Sequence, residues 1–147
     1  MSVEISGRYE VKSSPGRTWE LLNDVAVLQS CIPGCKSLTE TGKDQYEAEI
    51  AVGIGPVRGT YKGTVQIKDR KPPKSYRLIV EGKGGAGSVL GDGAITLSEN
   101  ASGGTTIEMA GKADATGTLA RVGQRLITGA SNQLAKKFFD NLAKHAK

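Results

Sequence analysis

The sequence predicts an α+β fold: a curved antiparallel sheet, apolar on one face, with a long C-terminal helix laid across that face. Three observations carry this. Apolar and polar residues alternate with period two through the middle of the chain. A stretch with helical period follows, from Leu119 to Leu142. An antiparallel sheet with one wet face must bury the other, and this helix is the long element left to cover it.

The elements follow in order. Ser2 to Lys12 reads as a strand. Ser13-Ser14-Pro15 is a cap followed by a first-turn proline, opening a short helix through Trp19 to Leu22. Asp24 caps a second short helix through Leu28. Five strands come next. Their inward residues are Tyr46 to Val52, Val57 to Ile67, Tyr76 to Val80, Val89 to Leu97 and Ile107 to Ala115, taken at every second position. Thr41 to Asp44, Gly53 to Pro56, Lys71 to Lys74 and Asn100 to Gly104 carry the turn residues between them. Thr118 caps the final helix, whose stripe is Leu119, Val122, Leu126, Ala130, Leu134, Phe138 and Leu142, widened by Ile127, Ala135, Phe139 and Ala143.

With 147 residues, the chain is one domain, 1–147. Its longest apolar run, glycine aside, is Val25 to Leu28, far short of the roughly 20 residues of a membrane-spanning helix. Met1 to Val11 lacks the apolar core of a signal peptide, so a cytoplasmic location is expected. The net charge of +5 lies wholly in residues 119–147, where Arg121, Arg125, Lys136, Lys137, Lys144 and Lys147 face one acid, Asp140. Such a segment is either a solvated helix face or a docking surface for a partner or anionic membrane. It carries no Trp or Tyr to stack on bases, so nucleic acid is not expected.

Glycine makes up 20 of the residues, about twice its usual share. Gly59, Gly63, Gly91, Gly93 and Gly111 fall on the apolar face, where a filled core would carry Val or Ile. Glycine there marks a sharp bend or the close approach of something else. The reading is a pocket between sheet and helix; the alternative is tight helix-on-sheet packing.

Gly82-Lys83-Gly84-Gly85-Ala86-Gly87 has the spacing G-x-G-x-x-G, but a strand follows where a nucleotide-binding loop needs a helix N-terminus. A glycine-rich hairpin is the better reading. Cys31-Ile32-Pro33-Gly34-Cys35 is not the redox C-x-x-C, and the two Cys with the single His145 do not make a four-ligand zinc set. No metal is expected. His145, placed in a frayed C-terminus, is poorly sited for acid/base work, so no catalytic residues are assigned.

Asn23-Asp24 with Leu28, then Cys31-Ile32-Pro33-Gly34-Cys35, resembles the early signature of the carbon monoxide dehydrogenase G-subunit family. Ile54-Gly55-Pro56-Val57-Arg58-Gly59, the glycine-rich Gly82 to Gly91, and Gly117 to Ile127 resemble its later motifs. The resemblance runs from about Val3 to Leu142. It implies the START-like (SRPBCC) helix-grip fold with an internal apolar cavity. It further implies a non-catalytic accessory protein of a molybdenum hydroxylase of the carbon monoxide dehydrogenase type, serving maturation, electron delivery or membrane recruitment. Some members carry a membrane-associating C-terminal extension. This chain ends at Lys147, soon after the helix, so the membrane contact expected is weak and peripheral, at the inner face.

With that implication, the expected ligand is a long apolar molecule, a quinone or other lipid, held by Trp19, Ile32, Ile54, Val57, Tyr61, Met109, Val122, Leu126 and Ile127. Tyr61 is the expected polar contact. Cys31, Pro33, Gly34, Cys35, Gly55 and Pro56 are expected at the pocket mouth. Arg121, Arg125, Lys136, Lys137 and Lys144 would dock a partner or membrane. Two other readings stay open: an assembly factor that docks through the basic helix without ligand, and a cavity-based cyclase or hydrolase.

Overall fold

The computed structural model describes residues 2–146 apart from Ile54 and Ala86. Strands β1 (Ser2–Val11), β2 (Cys35–Gly42), β3 (Gln45–Val52), β4 (Gly59–Lys71), β5 (Ser75–Gly84), β6 (Gly87–Glu99) and β7 (Thr105–Ala115) form one sheet. Their order is β1-β7-β6-β5-β4-β3-β2, with every neighbouring pair antiparallel. Helices α1 (Pro15–Leu22) and α2 (Val25–Cys31) carry the chain between the two edge strands. A single 3-10 turn, Gly55–Val57, joins β3 to β4, and α3 (Thr118–Arg121) and α4 (Gln124–His145) follow β7.

Strand β2 was not expected. Its only buried side chain is Leu38, so it lacks the alternation that marks the inner strands. Its remaining side chains are exposed or half-buried and mostly polar, which discourages further pairing at this edge of the sheet. Gly84 pairs with Gly87, so β5 and β6 form a hairpin, and a strand follows the glycine-rich motif as expected.

The expected helix starts hold. The Ser14 side chain accepts the Arg17 backbone N–H at 3.3 Å. Asp24 Oδ1 accepts those of Ala26 and Val27 at 3.0 and 3.3 Å. Each cap contributes about 1 kcal/mol. Helix α2 runs on to Cys31, three residues past Leu28.

The C-terminal helix differs from expectation in three respects. It is two helices, because Gly123 adopts φ 96°, a left-handed conformation that ends α3 and starts α4. Thr118 is the first residue of α3 and caps nothing by its side chain; Gly117 holds the cap position. The C-terminal end is not frayed: Ala146 is buried, its carbonyl accepts the Ser13 N–H at 3.0 Å, and His145 Nε2 lies 3.0 Å from Ser30 Oγ.

Helix α4 packs chiefly on β1 and α2. Phe139 stacks on Tyr9 with ring centroids 4.3 Å apart. Leu126 leaves the stripe and is 51% exposed, while Ile127 and Ala130 are buried. Where α1 meets β7, buried hydroxyls satisfy one another. Thr18 Oγ1 donates to the Ser14 carbonyl at 2.8 Å, Thr105 Oγ1 donates to the Ser13 carbonyl at 2.8 Å, and Ser13 Oγ lies 2.7 Å from Thr18 Oγ1.

Candidate functional site

The core is divided. One cluster gathers Val11, Leu21, Leu22, Cys31, Tyr46, Ile95, Leu97, Ile107, Phe139 and Leu142 at one end of the sheet. A second gathers Val3, Val57, Ala113, Ala115, Leu119, Ile127 and Ala130 at the other. Between them the sheet carries glycine. Gly93 pairs with Gly111 across β6–β7, and Gly91 pairs with Ala113. A fully buried Ile or Leu contributes about 1.5–3 kcal/mol, so leaving these positions bare forgoes core stability.

The result is an apolar concavity of about 170 Å³, open on one side; all its lining residues belong to the sheet, whereas the sequence predicts a pocket with the helix as one wall. Gly91, Gly93 and Gly111 form its floor, with Ile5, Leu78, Val80, Ile95, Met109 and Ala113 around them. Val80 is 38% exposed although it lies on the concave face. Asp92 and Lys112 alternate with the floor glycines, so their side chains stand on the outer face of the sheet. There the Asp92 carboxylate accepts from Arg77 Nη2 at 2.7 and 2.9 Å. No inward-facing lining side chain carries an N–H or O–H group.

Of the nine residues expected to hold a ligand, Met109 lines this cavity. Val57, Tyr61, Val122 and Ile127 are brought together one step away, in the second cluster. Trp19 and Ile32 pack against the first, with Trp19 edge-on to Tyr76 at 5.4 Å. Leu126 is on the surface, and Ile54 lies outside the described residues. The Tyr61 hydroxyl is engaged within the chain: it donates to the Val57 carbonyl at 2.9 Å, tying the 3-10 turn to β4. Burial also pushes its pKa up. Sequence reasoning missed Ile5, Leu78, Val80 and Ile95 as lining. Their signal was register: Leu78 faces Gly93, and Val80 faces Gly91, across β5–β6.

The Cys31 to Cys35 motif works as a clasp. Cys31 has no exposed surface, and its carbonyl accepts from Asn141 Nδ2 of α4 at 3.0 Å. The Gly34 carbonyl accepts the Ala51 N–H at 2.9 Å. A Cβ on Gly34 would stand 2.0 Å from the Ala51 carbonyl oxygen, which excludes any other residue. Both thiols are free, and burial raises the pKa of each. Pro33 and Gly34 border a polar groove with Gly53, Gln133 and Lys137, while Gly55 and Pro56 belong to the 3-10 turn.

Of the basic residues, Lys136 pairs with Asp140 at 2.8 Å. Arg121, Arg125, Lys137 and Lys144 are exposed, and no salt bridge among the described residues joins them. Among the described residues no three His, Cys, Asp or Glu side chains come together as a metal site, and no helix is long and apolar enough to cross a membrane.

A curved seven-stranded antiparallel sheet and a long C-terminal helix, with an apolar concavity in the inner face of the sheet, make a START-like helix-grip fold. Within that class, the chain belongs to the carbon monoxide dehydrogenase G-subunit (CoxG) family, whose model matches residues 7–147. A conserved protein from Geobacillus kaustophilus is 34% identical, with a TM-score of 0.93 over 99% of this chain and 95% of that one. A START superfamily protein from Mycobacterium smegmatis shares the fold at 8% identity, with a TM-score of 0.76 over 97% of this chain and 96% of that one. The di-domain ARO/CYC protein BexL of the BE-7585A biosynthetic pathway does so at 11% identity and a TM-score of 0.67, over 99% of this chain and 50% of BexL. No curated protein matches the chain.

Proposed function

We propose that this chain is a non-catalytic carrier of an apolar molecule, a quinone or other lipid. It would work beside a molybdenum hydroxylase of the carbon monoxide dehydrogenase type, in electron delivery or membrane recruitment. The observation that carries the reading is the glycine-floored concavity between two separate apolar clusters. Its volume of about 170 Å³ takes one ring or a short length of chain, and the rest of a long molecule would lie out through the open side beside Val80. Hydrocarbon burial drives such binding at roughly 0.8 kcal/mol per CH₂. What supports a non-catalytic role is the lining, which offers no inward acid, base or nucleophile.

The test is native mass spectrometry of freshly purified protein, followed by organic extraction. A co-purified apolar molecule of defined mass is expected. Protein that emerges empty and binds neither quinones nor lipids in titration overturns the carrier.

A second reading, a docking factor without ligand, draws on the exposed cations Lys137 and Lys144 of α4. It predicts that Lys137→Glu with Lys144→Glu abolishes capture of the partner enzyme, whereas filling the concavity by Gly91→Val leaves capture unchanged.

A further inference from the structure

We infer, resting on the carrier reading, that the concavity admits an uncharged, flat, ring-sized hydrocarbon group and turns polar atoms away. An amphiphile would then enter apolar end first and keep its polar end at the opening. Gly91 and Gly93 set this specificity.

Size comes first. The concavity of about 170 Å³ has room for a single ring, and it stays open to solvent on one side.

Polarity comes second. The inward wall side chains are hydrocarbon apart from the Met109 thioether, a weak acceptor. The floor's backbone offers nothing either. Strand β6 is paired with β5 on one side and β7 on the other, and β7 is itself flanked by β1. The amides and carbonyls of Gly91, Gly93 and Gly111 are therefore committed to ladders. A hydroxyl or carbonyl pushed onto this floor loses its water and finds no partner.

Third, the floor is bare where packing does not require it. A Cβ built on Gly91 meets nothing closer than 3.9 Å, and one on Gly93 nothing closer than 3.5 Å. Neither has a positive φ. Alanine would fit both positions, so the effect of glycine there is to keep depth above a flat surface. Gly111 is different: its Cβ would lie 2.5 Å from the Asp92 carbonyl oxygen.

The experiment uses p-xylene and hydroquinone, two para-substituted rings of the same outline. Methyl NMR titration of the full chain should show saturable p-xylene shifts at Leu78, Val80 and Met109. Hydroquinone should bind about tenfold more weakly or worse, since its inner hydroxyl goes unsatisfied. Gly91→Val should weaken p-xylene at least tenfold with unchanged circular dichroism and no fall in melting temperature. Gly91→Ala gives a smaller loss and serves if the larger change disturbs folding. Equal affinity for the two rings overturns the polarity rule, and shifts confined to other residues overturn the placement. If p-xylene fails while dodecanol binds, the ring inference falls and the carrier survives. If neither binds, both fall.

Discussion

Gly93 stands directly across the β6–β7 ladder from Gly111, yet the backbone needs only one of them. A Cβ on Gly111 would approach the Gly93 Cα to 2.7 Å, whereas one on Gly93 has ordinary contacts from 3.5 Å outward. Gly111 is thus glycine because two strands crowd together, and Gly93 because the space above it is kept.

Stability should separate the two kinds of glycine. Gly111→Ala overpacks a strand junction and is expected to destabilise by about 1–3 kcal/mol. Gly91→Ala and Gly93→Ala should be neutral or stabilise by about 0.4–1 kcal/mol through the unfolded chain. Urea unfolding measures all three. A similar loss at each would mean that the whole floor is close packing, and the cavity would lose its significance.

Tyr61 makes a second case. Its hydroxyl holds the Val57 carbonyl at 2.9 Å and so fastens the Gly55–Val57 turn over the second cluster. Tyr61→Phe should cost about 0.5–1.5 kcal/mol and speed amide exchange across residues 55–59. Affinity for an apolar ligand should not move. A tenfold loss of affinity with unchanged exchange would instead assign the hydroxyl to the ligand.

The two thiols should differ in access but share low reactivity. Cys31 has no exposed surface, while Cys35 is half-buried and donates to the Ser37 carbonyl at 3.2 Å. Burial raises both pKa values, so little thiolate exists at neutral pH. Ellman's reagent at pH 7.5 should label one cysteine slowly and the other only in denaturant. The slow rate should climb with pH through and beyond about 8.5, as thiolate forms. Two fast equivalents at pH 7.5 would contradict the clasp.

Much of this architecture was legible because it is periodic. The inner strands alternate, Ser14 and Asp24 are caps of ordinary type, and glycine on an apolar face announced a bare region before any register was known. What stayed hidden depends on neighbours. Strand β2 has a single buried residue, Leu38, so nothing in its own sequence sets it apart from a loop. The helical stripe reads smoothly through Gly123, because a side-chain period carries no record of one residue's φ; only the fold reveals the break there and the exposure of Leu126 beyond it. The lining was harder still. Leu78 and Val80 belong to the site only through their pairing with Gly93 and Gly91, and pairing across strands is not written in either strand alone.

Tyr76 supplies a pH-dependent prediction. It is buried in the first cluster, edge-on to Trp19, and burial raises its pKa far above the ordinary phenol value of about 10, with the nearby Arg70 charge opposing only in part. Above that pH, unfolded chains release the phenolic proton while folded ones keep it. The contribution to stability is therefore fully present below about pH 10 and declines as pH rises past it, by up to about 1.36 kcal/mol per pH unit. Tyr76→Phe has no proton to lose. Urea midpoints measured between pH 9 and pH 11 should fall less steeply for the variant, with the difference confined to the range above pH 10. Parallel curves across that range would mean that solvent reaches the Tyr76 hydroxyl and that the first cluster is looser than its packing implies.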